Sequence, residues 1–204
     1  ADCDSSGAVS SCSEHVGGIV GSSAGAVRES SNSGAVKGSS ITGGIVGQST
    51  GDIEDCVNSG TVEASSDIGG IAGIAMGSIT RCGNSGTVGS DFSFGSRTGG
   101  IVGQAGGTSK TDKAVISQCY NTGTVNGKTQ VGGIAGQIGG SMSVGNGTST
   151  VYMDIEDCYN TGDVNGTTGH LGGVVGYVYN SDSGVEDCYN TGTVSASSTY
   201  ATYV

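Results

Sequence analysis

Tryptophan is absent from these 204 residues and phenylalanine occurs only twice, so a core built on large aromatic side chains is excluded and any interior must be assembled from many small aliphatic ones. Basic residues are scarce. Seven Lys and Arg stand against eighteen Asp and Glu, a formal net charge of −11. Phosphate binding needs clustered cations, which argues against nucleic acid. The same deficit argues against an anionic lipid surface. No run of eighteen apolar residues exists, so the sequence predicts no membrane-spanning helix. The seven cysteines include no CxxC pair, and no HExxH occurs, so neither a zinc site nor a zinc protease is written here. No stretch keeps a 3.6-residue apolar period over several turns, and 42 glycines would destabilise helices throughout.

What is present is repetition. The phrase Cys56-Val57-Asn58-Ser59-Gly60-Thr61-Val62 returns from Cys82 to Val88, Cys119 to Val125, Cys158 to Val164 and Cys188 to Val194. Weaker copies run from Cys3 to Val9 and, with serine replacing the cysteine, from Ser30 to Val36. Between the copies lies a second phrase, GGIVG or a variant, starting at Gly17, Gly43, Gly69, Gly99, Gly132 and Gly172. The spacing is 26 residues between Ser30, Cys56 and Cys82, then lengthens, as loops inserted into a solenoid would require. The sequence therefore predicts an all-β fold: a parallel β-helix of about seven coils, with loop insertions in the C-terminal half. Each repeat buries its apolar face only by stacking on its neighbours.

Three strands per coil are expected: the GGIVG segment, the segment carrying Ile53, Ile79, Ile116, Ile155 or Val185, and the one carrying Val62, Val88, Val125, Val164 or Val194. In-register stacking roughly 4.8 Å apart makes a rod about 34 Å long. It also places like residues in ladders. Valine and isoleucine ladders form the core, with the cysteines pointing inward as small hydrophobes. The asparagine of each copy bonds both its local backbone and its equivalent one coil away, and the glycine after it supplies positive φ or close packing. Among the cysteines, free buried thiols are expected. Cys3–Cys12 is the pair best placed for a single disulfide, within the first coil.

The two-phrase pattern resembles the GLUG-motif repeat over residues 3–194. The resemblance implies a bacterial surface or secreted protein, since such repeats occur in adhesin-like proteins and in immunoglobulin A-cleaving metallopeptidases. The latter carry their zinc motif in a separate domain, so proteolysis does not transfer. No enzyme activity, cofactor or metal is expected.

Residues 1–194 are read as one solenoid domain and 195–204 as a tail or pairing strand. The chain starts Ala1-Asp2 without methionine, as a trimmed or mature protein would, and an extracellular or cell-surface location is expected. Three candidate features follow. Stacking sets Arg28 against Glu54 and Asp55 against Arg81, while Glu156 meets Glu186 and Asp157 meets Asp187, the one place where Ca²⁺ is conceivable. The insertions, about 89–98, 106–113 and 138–153, are places for binding, with Phe92, Phe94 and Arg97 the best contact residues. The coil ends, represented by Asp2, Cys3, Tyr200, Tyr203 and Val204, are candidate assembly surfaces. There the TYATYV alternation suits a strand that pairs with a neighbour's edge. His15 and His170 lie five coils apart and share no chemistry. Three functions compete: a stalk or adhesin module binding a cell-surface or glycan ligand, a head-to-tail filament subunit whose partner is itself, and an accessory domain of a larger secreted enzyme.

Overall fold

The computed structural model describes residues 3–89, 96–111, 113–144, 147–197 and 201–203. The described chain is a β-solenoid of about six turns without a helix. Each coil contributes to five parallel ladders, not three. Ladder I holds seven strands, from Cys3–Ser5 through Val57–Asn58 to Tyr189–Asn190. Ladder II follows the asparagine turn, from Val9–Ser10 to Val194–Ala196, and is carried past its midpoint by single bridges through Val88. Ladder III runs from His15–Gly17 to Ala201–Tyr203 with seven strands; ladder IV runs from Val20–Ser23 to Val175–Val178 and ladder V from Val27–Arg28 to Val185–Glu186, with six each.

Two local features explain the extra ladders. The GGIVG phrase is a corner rather than a strand. Its first glycine ends ladder III, its valine or alanine opens ladder IV, and the isoleucine between turns inward. Ladders III and IV approach so closely there that a Cβ on Gly73 would lie 2.6 Å from the Thr42 nitrogen and 2.8 Å from the Asp67 carbonyl oxygen. The second corner separates ladder V from ladder I. Glu29, Asp55, Arg81, Gln118, Asp157 and Asp187 occupy it in successive coils with φ between 49° and 54°. This left-handed conformation is one that a non-glycine residue adopts at a cost of about 1 kcal/mol. The corner detaches the cysteine strand from the isoleucine strand before it.

The register agrees with the arithmetic of the repeat: Ile53 pairs with Val27 and Ile79, and Asn58 with Asn32 and Asn84. The main core combines the corner isoleucines Ile45, Ile71, Ile101 and Ile134 with the ladder V isoleucines and Cys56, Cys82, Cys119 and Cys158. A smaller second core lies between ladders II and III, around Val62, Ile68 and Val88 in the earlier coils and Val125, Val131, Val164 and Leu171 in the later ones. The asparagines at the ends of the ladder I strands form a buried row. Asn58 donates through Nδ2 to the Gly60 carbonyl and to Asn84 Oδ1, both at 2.8 Å. Close packing, not positive φ, is the reason for the glycine that follows: a Cβ on Gly60 would sit 2.0 Å from the Gly34 carbonyl oxygen.

All seven cysteines are free thiols; Cys3 and Cys12 are exposed and unbridged. No helix among the described residues is long and apolar enough to cross a membrane.

Candidate functional site

One feature outside the core comes from the longest insertion. Expected as a loop, residues 138–153 contain an antiparallel hairpin, Gly140–Val144 with Gly147–Val151. The reason is packing. Met142 and Val151 are buried against Met76, with Ile74 beside them, on the outer side of ladder IV. Several bonds hold the hairpin base to its surroundings. Gly107 and Tyr152 exchange backbone bonds at 2.7 Å, Gln137 Nε2 donates to the Gly139 carbonyl at 3.0 Å, and Asn180 Nδ2 donates to the Val151 carbonyl at 2.6 Å. Lys113 pairs with Asp154 at 2.9 Å, so the 106–113 insertion is also fastened to the coil above.

Between this hairpin and the outer rows of ladders III and IV lies a cleft of about 590 Å³. Ile74, Met76 and Met142 form its apolar side; Gln48, Gln104, Asp67 and Arg97 supply polar groups, with Glu14 and His15 at the N-terminal end. Asp67 and Arg97 are neighbours by ladder position, one rung apart. Arg97 grips the buried Asp67 carboxylate with two donors: Nε to Oδ1, and Nη2 to Oδ2 at 2.8 Å. The hydrogen bonding of Arg97 to the Asp67 carboxylate is the main cause that raises the Arg97 pKa above its ordinary value. Asp67 also has φ of 48°, so a left-handed backbone and a buried ion pair coincide at one residue. Sequence reading singled out Arg97 but passed over Asp67. Its only signal is an aspartate in a ladder III position that reads His15, Ile41, Arg97, Gln130 and His170 in other coils.

The other predicted sites fare differently. Phe92 and Phe94 lie outside the described residues, as do Asp2, Tyr200 and Val204. Cys3 sits on the first strand of ladder I, opposite Ser30. Tyr203 belongs to a strand that pairs in parallel with Gly169–Gly172 of the same chain, with a register shift. The tail strand thus adds to ladder III of its own chain. Arg28 meets Glu54 at 2.9 Å and Arg81 meets Asp55 at 2.7 Å, as the register demands. Glu156 faces Glu186 in ladder V, yet among the described residues no three His, Cys, Asp or Glu side chains converge as a metal set. His15 and His170 stand in ladder III five rungs apart, and His170 packs against Tyr177 at 4.7 Å.

One surface feature was missed. Tyr120, Tyr159 and Tyr189 form a stack on the outer face of ladder I, with ring centroids 5.6 and 5.3 Å apart. Its first ring lies over Gly83, where a Cβ would be 2.2 Å from Tyr120 Cζ.

Set beside known families, the chain matches the model described as the GLUG motif at residues 38–63, 94–126 and 167–195. It carries the GLUG motif in these three stretches and folds as a β-solenoid. No curated protein and no solved structure matches it.

Proposed function

We propose that this solenoid is a non-enzymatic structural module that works outside the cell as a stiff spacer and presents its insertions for adhesion. The observation that carries the reading is the unbroken register. Rungs of ladder I remain paired one to the next although the sequence spacing between them changes from 26 to 37, 39 and 30 residues. A scaffold that keeps one cross-section while admitting insertions suits display of binding elements on a rigid rod. The acidic balance and scarce cations fit an exposed, self-repelling surface.

Head-to-tail stacking is the second reading: Val185 and Tyr189, on the last described rungs of ladders V and I, are 41% and 54% exposed. An accessory role in a larger secreted enzyme is the third reading, and flanking sequence decides it.

The test is antibody labelling of intact source cells, combined with electron microscopy of the material they release. Labelling without permeabilisation, on rods or on surface projections, is expected. Labelling seen only after permeabilisation overturns the reading, and fibres with an axial repeat of one subunit replace it with the filament.

A further inference from the structure

We infer that the hairpin cleft is a binding site for an uncharged oligosaccharide. This deepens the adhesive reading by naming a site and a ligand class. Its volume, about 590 Å³, is that of an ordinary small-ligand pocket. Its lining has two characters. Ile74, Met76 and Met142 offer an apolar surface, which suits the C–H face of a sugar ring. Gln48 and Gln104 flank Ile74 one rung to either side, and the Asp67–Arg97 pair adds further planar groups to the lining. Each amide carries a donor and an acceptor side by side, the arrangement that two adjacent hydroxyls satisfy.

Part of this lining is held in place before any ligand arrives. Asp67 and Gln104 are each 4% exposed, and the guanidinium is oriented by two bonds to one carboxylate. Pre-ordered polar groups lessen the entropy that binding would otherwise cost.

The charges select the class. Glu14 and Asp67 outnumber Arg97 in the cleft when His15 is neutral, and the whole chain carries −11. Sialylated, sulfated or uronic acid ligands are therefore disfavoured. An extended peptide would gain most from an open strand edge. The outer rows here belong to interior strands, Ile41–Gly43, Val46–Ser49, Ala72–Ala75 and Val102–Ala105, each hydrogen-bonded on both sides. Side-chain hydroxyl recognition remains.

The experiment is a glycan array carrying neutral, sialylated and sulfated glycans, followed by calorimetric titration of the neutral binders. Two variants accompany the wild type. Gln48→Ala removes a half-buried amide, and Ser141→Trp fills the cleft mouth from an exposed hairpin position. Neutral glycans are expected to bind, and each variant to weaken them about tenfold, a loss of 1.4 kcal/mol, with an unchanged melting temperature. Binding that both variants retain in full puts the site elsewhere and overturns the inference. Binding confined to anionic glycans, or none on the array, overturns it as well. The rod reading survives any of these results, because surface labelling and microscopy judge it separately.

Discussion

Asn84 donates through Nδ2 to Asn121 Oδ1 at 2.8 Å, although 37 residues separate them in the chain. The bond has the same length as that between Asn58 and Asn84, which are 26 apart. The added residues between the two rungs leave the amide row unbroken. The second hydrogen of each amide goes to the carbonyl two residues on, Gly86 for Asn84. A row of fully used, buried amides is thus the seam between the two cores.

Breaking that row in the middle should be costly. Asn84→Ala removes the donor to Asn121 and Gly86 and the acceptor for Asn58, and leaves their buried groups unpaired. Each such group costs about 1–3 kcal/mol, and a loss of roughly 3 kcal/mol in urea unfolding is expected. Asn84→Asp restores the volume without the donor and should remain clearly less stable than wild type.

Thr98 and Thr42 point the other way. Their hydroxyls are buried without a partner. The same ladder III row has Val131 next to Thr98 and Val16 next to Thr42. Thr98→Val should stabilise the protein by about 1 kcal/mol, by removing an unsatisfied polar atom while keeping the shape. Thr98→Ser, which keeps the hydroxyl and loses the methyl, should destabilise it.

At the cleft, removing one partner of the Asp67–Arg97 pair leaves the other uncompensated. Arg97→Ala strands a carboxylate whose side chain is 5% exposed. The expected cost is about 3 kcal/mol. The double variant Arg97→Ala, Asp67→Ala should lose less than the sum of the single variants. A double-mutant cycle measured by denaturant unfolding checks this.

Acid should erode the early coils. Arg28, by hydrogen bond, holds the Glu54 carboxyl below its ordinary value, and Arg81 does the same for Asp55. A carboxylate with a lowered folded pKa contributes stability above its unfolded pKa, and the contribution is lost as pH falls through the folded value. Stability should therefore decline below about pH 4, the carboxylate range. Arg81→Gln should flatten this acid limb by lowering stability slightly at neutral pH, with little change in acid. Both pairs are exposed, so the effect is small and sensitive to salt. Unfolding midpoints at low and neutral pH, with and without added salt, measure it.

Thiol reactivity should sort by depth. Cys3 and Cys12 are exposed, Cys188 is intermediate and the remaining four are buried. Hydrogen bonding to the neighbouring Cys82, and then burial, push the Cys56 thiol up, while burial first of all pushes up Cys188. Native alkylation followed by mass spectrometry should label Cys3 and Cys12 quickly and Cys188 slowly. Cys56, Cys82, Cys119 and Cys158 should react only on unfolding. Fast labelling of Cys119 would contradict the inward cysteine row.

The sequence alone determined whatever the repeat multiplies: the solenoid, the isoleucine and cysteine rows, the asparagine row, and the Arg28–Glu54 and Asp55–Arg81 pairs. In a parallel stack each residue's axial neighbour is its equivalent one period on. Contacts along the axis follow from counting, and an insertion shifts the count without changing the partners. The tertiary structure decided what lies across the axis or outside the period. Five ladders replace three because close backbone packing at Gly73, and left-handed residues such as Asp55, bend the coil where composition shows only glycine and acid. The hairpin folds onto Met76 through Met142 and Val151, a contact between a once-only segment and one coil that no repeat announces. Asp67 joins Arg97, and Tyr120 covers Gly83, because side chains reach over the rungs to neighbours that periodicity brings near but does not choose.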